Sequence, residues 1–116
     1  MKTLVILNDP PYGSERSYNG LRLAGALVKR EGEEVRVFLM GDAAACAKAG
    51  QTLPQGHYNV ERMVRVVAQA RGAVAVCGSC MEARGIGDAE LAQGARRGSL
   101  EELADWTGWA ERVLVF

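Results

Sequence analysis

The 116-residue sequence has no apolar run long enough to cross a bilayer, no excess of either charge, and few aromatic residues. Each shortage excludes something. Its first apolar stretch, Leu4 to Leu7, is far shorter than the roughly 20 residues a membrane helix needs. No small-residue cleavage site follows it, so membrane association and secretion are not expected and the chain reads as cytoplasmic. Lysine plus arginine number 14 and aspartate plus glutamate number 14, which leaves no basic footprint for direct nucleic-acid binding. Neither G-x-x-x-x-G-K-S/T nor G-x-G-x-x-G occurs, so a bound nucleotide would lack its phosphate-cradling loop. Cysteines number only three, an odd count without the spacing of a disulfide framework. In a reducing compartment such thiols are catalytic, metal-binding or inert rather than structural staples.

What the sequence does have is alternation. Thr3 to Leu7 is a β-rich apolar run, and the loop Asn8-Asp9-Pro10-Pro11-Tyr12-Gly13 ends it. Ser14 is a candidate cap for a helix reaching about Arg30, with Leu21, Ala24, Gly25 and Val28 on one stripe. Val35 to Met40 reads as a second strand, and Gly41-Asp42 opens an alanine-rich helical segment carrying Cys46. Asn59 caps a further helix through Val60, Met63, Val64 and Val67, ending near Gly72. Ala73 to Val76 is a third strand, apolar throughout as strands buried on both faces are. A short strand around Ala95 to Arg97, a Ser99-x-x-Glu102 capping box before the last helix, and a strand from Arg112 to Phe116 complete the chain. At this length one hydrophobic core is the limit, so residues 1–116 are expected to form a single domain. Strand–helix alternation predicts a three-layer α/β/α sandwich with a mostly parallel sheet of about five strands.

In such sheets the loops leaving the carboxyl ends of the strands gather along one edge, where ligands bind. Tyr12, Gly13, Asp42, Cys46, Cys77 and Cys80 belong to that edge. Cys77 and Cys80 frame a C-x-x-C directly after the third strand. At a helix start, backbone N–H groups favour thiolate over thiol, and a cysteine there can titrate at roughly 3.5 to 7.5. Cys80, one turn on, could resolve a mixed disulfide or accept sulfur from Cys77. Arg84, four residues later, could add positive charge. Inert packing cysteines are the plain alternative. Cys46 and His57 would complete a Cys3His set with the pair, but their spacing is irregular and no metal is expected. Tyr12 and Gly13 are candidates for a substrate wall, Trp106 and Trp109 for packing or subunit contacts, and Arg96-Arg97 for a solvated pair.

Three segments together resemble the DsrE/DsrF-like sulfur-relay proteins, a family that includes the TusD sulfurtransferase subunit. They are Pro11-Tyr12-Gly13-Ser14, Phe38-Leu39-Met40-Gly41-Asp42, and Cys77-Gly78-Ser79-Cys80 leading to Arg84-Gly85. The Leu103-Ala104-Asp105-Trp106 and Val113-Leu114-Val115-Phe116 segments match the family's ending. The resemblance implies that Cys77 accepts persulfide sulfur and passes it to a partner protein, with Gly78, Ser79 and Arg84 around it. It also implies a homotrimer or homohexamer, donor and acceptor proteins as partners, and no cofactor. Cys80 has no counterpart in the TusD version. A dithiol/disulfide redox module using both cysteines, and a non-catalytic oligomeric binding protein, remain as alternative functions.

Overall fold

The computed structural model describes residues 1–116. Its strands are β1 (Lys2–Leu7), β2 (Glu34–Leu39), β3 (Ala73–Cys77), β4 (Ala95–Gly98) and β5 (Arg112–Val115). They form one sheet in the order β4-β3-β2-β1-β5, and all four pairings are parallel. The helices are α1 (Arg16–Leu27), α2 (Val60–Gln69), α3 (Gly78–Ala83) and α4 (Leu100–Trp109), with 3-10 helices at Gly41–Ala47 and Asp88–Glu90. The five-stranded α/β/α sandwich is therefore as expected, with the sheet parallel throughout.

Strand order dictates which face each helix covers. From β1 to β4 the chain steps outward in one direction, so right-handed crossovers place α1, α2 and α3 on one face. From β4 it returns past the whole sheet to β5, and the same handedness puts α4 on the other. Leu21, Val64 and Met81 accordingly pack in one buried cluster with Val5, Val37 and Val76. Leu103 and Trp106 pack in a second with Leu4, Phe38 and Ala75. The first cluster holds 20 buried residues and the second 5, so most of the apolar burial that drives folding lies under α1 and α2. Trp106 meets Phe38 edge-on at 6.2 Å, and the Arg36 guanidinium covers the Trp109 ring at 3.9 Å. Both tryptophans are thus engaged within the chain.

The caps follow the sequence closely, with informative departures. Asn59 accepts the Arg62 N–H at 3.0 Å, and Ser99 accepts the Glu102 N–H at 3.2 Å. The Glu102 carboxylate does not complete a box on Ser99, because Arg96 takes it in a two-pronged pair. α1 starts two residues after Ser14, whose hydroxyl accepts the Arg16 N–H and donates to Asp9 at 2.7 Å. It stops at Leu27, short of Arg30, and α2 stops at Gln69, short of Gly72. No helix is long and apolar enough to cross a membrane.

Candidate functional site

Because β3 leads to α3 on one face and β4 leads to α4 on the other, the two loops diverge and leave a crevice at the carboxyl edge. Such a reversal point is where open α/β sheets place their ligands. A cavity of about 370 Å³ fills it. Cys77, Gly78, Ser79 and Cys80 form one wall, Gly98, Ser99 and Leu100 another, and Phe38, Met40 and Leu103 its apolar floor. No lysine or arginine lines it. Gly78 permits the close approach of the two walls, since a Cβ there would stand 3.0 Å from Arg97 Nη1 and 3.1 Å from the Gly98 carbonyl.

Cys77 ends β3 and caps α3. Its backbone is held in register opposite Gly98 while its half-buried side chain faces the cavity. The sulfur accepts the Cys80 N–H at 3.3 Å and lies 3.3 Å from the Ser79 hydroxyl. Burial works against ionisation here, but hydrogen bonds from the Cys80 and Ser79 side chains and from both backbones outweigh it and hold the Cys77 thiol below its usual value of 9.0. Each hydrogen bond to a charged acceptor contributes about 1.5–3 kcal/mol, which is how a few of them overcome partial desolvation.

Cys80 shifts the other way. Burial and its hydrogen bond to the Cys77 sulfur push its thiol up, while the Gly41 N–H and the charge of Arg84 oppose the rise. The Gly41 N–H reaches Cys80 Sγ at 3.1 Å. That aim depends on a backbone φ of +57°, in the left-handed region that favours glycine. Arg84 does not reach toward Cys77. It grips Asp42 Oδ1 at 2.7 and 3.1 Å and donates to the Cys80 carbonyl at 3.0 Å, so its field acts on Cys80.

Other residues singled out from the sequence lie elsewhere. Tyr12 and Gly13 do not line the cavity. The Tyr12 hydroxyl accepts the Val60 N–H at 3.0 Å and lies within hydrogen-bond reach of Gln51 and the Tyr58 carbonyl, which ties the first loop to the start of α2. Gly13 makes an exposed turn at φ +97°. Cys46 is fully buried, its thiol pushed up to about 12 by that burial. His57 is exposed, and no three metal-ligating side chains converge anywhere in the chain. The expected solvated arginine pair is instead a clip: Arg97 binds Asp88 at 2.7 Å, Glu82 at 3.3 Å and the Gly78 carbonyl at 3.3 Å, while Arg96 holds α4. Gly41, Ser99 and Leu100 join the site, although the sequence marked Gly41 and Ser99 only as helix starts.

A second depression, of about 390 Å³, sits at the opposite ends of the strands between Glu33, Arg36, Arg71 and Trp109. It contains no thiol or hydroxyl nucleophile.

Known proteins share this architecture over its whole length. The chain is 40% identical to Protein YchN of Escherichia coli strain K12 across 99% of its own length and 98% of that protein. The crystal structure of ychN protein superposes with a TM-score of 0.90, each chain covered completely. An uncharacterized Methanopyrus kandleri protein, MK0008, is 34% identical over 97% of this chain and 91% of its own. At 12% identity, a Methanobacterium thermoautotrophicum protein of unknown function, MTH1491, shares the fold with a TM-score of 0.75 and full coverage of both chains. The DsrE/DsrF-like family matches residues 1–116, and the chain belongs to the DsrE/DsrF-like family.

Proposed function

We propose that the protein is a sulfur carrier of the sulfurtransferase type, accepting persulfide sulfur on Cys77 and passing it to a partner protein. The observation that carries this reading is the hydrogen-bonded Cys77 sulfur, half-buried in a cavity at the point where the sheet's connections diverge. A thiolate there attacks the outer sulfur of a donor persulfide. The donor's sulfur–sulfur bond breaks, its inner sulfur leaves as a thiolate, and Cys77 becomes Cys–S–SH. An acceptor thiolate then attacks the outer sulfur and Cys77 leaves as thiolate, favoured by the same hydrogen bonds. Transfer between sulfurs draws on no metal or organic cofactor.

The largely apolar lining fits a thiol-borne sulfur delivered by a protein side chain better than a small sulfur oxyanion, which would look for a cation on the wall. Donor and acceptor proteins are therefore the partners in this reading, and a homotrimer or homohexamer is the assembly. The test is intact mass of wild type and Cys77→Ser after exposure to a low-molecular-weight persulfide. Added sulfur that a reductant removes, present in wild type and lost in Cys77→Ser, is expected. Equal loading of the two proteins would sink the assignment. Oxidation that depends on both Cys77 and Cys80, with no added sulfur at any time and none gained by Cys80→Ser, would favour the dithiol redox module instead.

A further inference from the structure

Loading Cys77 forms no bond to the Cys80 sulfur, whose residue serves there only as a hydrogen-bond donor, yet that sulfur has a built position. It is held from one side by the Gly41 N–H at 3.1 Å, contributed by a residue 39 positions away, and the Cys80 backbone N–H meets the Cys77 sulfur at 3.3 Å. Cys77 caps α3 and Cys80 lies in its first turn, the spacing of a C-x-x-C pair whose Cα atoms can fall within the roughly 4.4–6.8 Å that a disulfide spans. The pair packs against opposite layers, Cys77 with the α4-side cluster and Cys80 with the α1-side cluster, and both line the cavity at the sheet edge between them.

Building on the carrier reading, we infer that Cys80 is the residue that discharges the persulfide. The Cys80 sulfur gives up its proton and attacks Cys77 Sγ. A new Cys77–Cys80 bond forms, and the bond from Cys77 Sγ to the outer sulfur breaks. The outer sulfur leaves with that bond's electron pair, takes the proton, and is released as hydrogen sulfide. Cys80 is oxidised, the outer sulfur is reduced by the same amount, and Cys77 keeps its oxidation state. A dithiol protein or a low-molecular-weight thiol then supplies two electrons and two protons to restore both thiols.

The geometry points to the inner sulfur as the target, because Cys80 already hydrogen-bonds to that atom through its backbone N–H and lines the same cavity. It also times the step. In the empty protein Cys77 is the thiol that ionises more readily, and its charge opposes ionisation of Cys80. Loading moves that charge one atom outward into the cavity. The Gly41 N–H and Arg84 then remain as the groups that favour a Cys80 thiolate. The protein would hold sulfur while an acceptor is available and release it as sulfide when none arrives.

The experiment follows wild type, Cys80→Ser and Cys80→Ala, each reduced, loaded with a low-molecular-weight persulfide and freed of donor and reductant. Intact mass and trapped sulfide are read together over time. Wild type is expected to lose the mass of the added sulfur, end lighter than the reduced protein by two hydrogens, and release one equivalent of sulfide. Both variants are expected to keep the sulfur and release none. A wild type that retains its sulfur on Cys77 as long as the variants do overturns discharge while leaving the carrier reading intact. Absence of loading in all three proteins removes the carrier reading and this inference together.

Discussion

Two neighbouring parallel strands each end in a helical turn that carries a cysteine, and the two thiols behave oppositely. After β2 the 3-10 helix buries Cys46 completely, and its sulfur finds only the Asp9 carbonyl at 3.8 Å and the side chain of Ser17. After β3 the start of α3 leaves Cys77 at a cavity wall with N–H and hydroxyl groups directed at it. Position on the carboxyl edge is common to both. What separates them is the number of donors facing the sulfur and the route to solvent, which is what controls thiol reactivity in general.

The contrast is broken most directly by alkylation with iodoacetamide at pH 7. Cys46 titrates at about 12 and Cys77 below 9.0, so thiolate population alone makes Cys77 at least about a thousandfold faster in the folded protein. Peptide-level rates that differ by less than tenfold would end the comparison. Gly41 joins the two segments, opening the Cys46 helix and donating to Cys80. Gly41→Ala forces a Cβ into the left-handed region and is expected to cost about 1–2 kcal/mol in urea unfolding, although the nearest atom to that Cβ is at an ordinary 3.6 Å. An unchanged midpoint would mean that the backbone there is not held at positive φ.

Cys46 sharpens the contrast through pH. Its folded value is raised above the ordinary 9.0, so its stabilising contribution is fully present below pH 9 and disappears as pH climbs toward 12. Cys46→Ala should cost about 1 kcal/mol near neutrality for the void it leaves, and it should flatten the loss of stability between pH 9 and 12. Parallel pH–stability curves for wild type and variant would show that burial of this thiol is not what resists ionisation. The smallest effect belongs to Ser79→Ala, which removes one of the hydrogen bonds to the Cys77 sulfur. The pH of half-maximal Cys77 alkylation is expected to rise, and to rise less than in Cys80→Ala. A downward shift would contradict the assigned donors.

Local signals were legible in the sequence, and through-space ones were not. The apolar runs Leu4 to Leu7 and Ala73 to Val76, the caps Asn59 and Ser99, and the weak strand at Ala95 all emerge where patterning places them. Cys77 announced itself by ending an apolar strand. The strand order was not readable, since parallel pairing is decided by contacts far apart in the chain, and with it went the location of the crevice between β3 and β4. Tyr12 carries the family likeness yet serves the start of α2, a role that emerges only when two loops meet. Arg84 was expected beside the nucleophile. Asp42, from the loop after β2, claims its guanidinium instead, and no spacing rule along α3 could reveal that.

The register of Cys77 opposite Gly98 anchors its Cα in the β3–β4 ladder while the sulfur projects past the end of the sheet. Under the proposed transfer, the cysteine works like a fixed post with a swivelling tip. On that reading, gaining or losing a sulfur atom happens beyond the last ladder pair, so the pairing of Cys77 with Gly98 need not break. A donor and an acceptor can then share one landing surface, and the direction of traffic is left to which of them arrives charged.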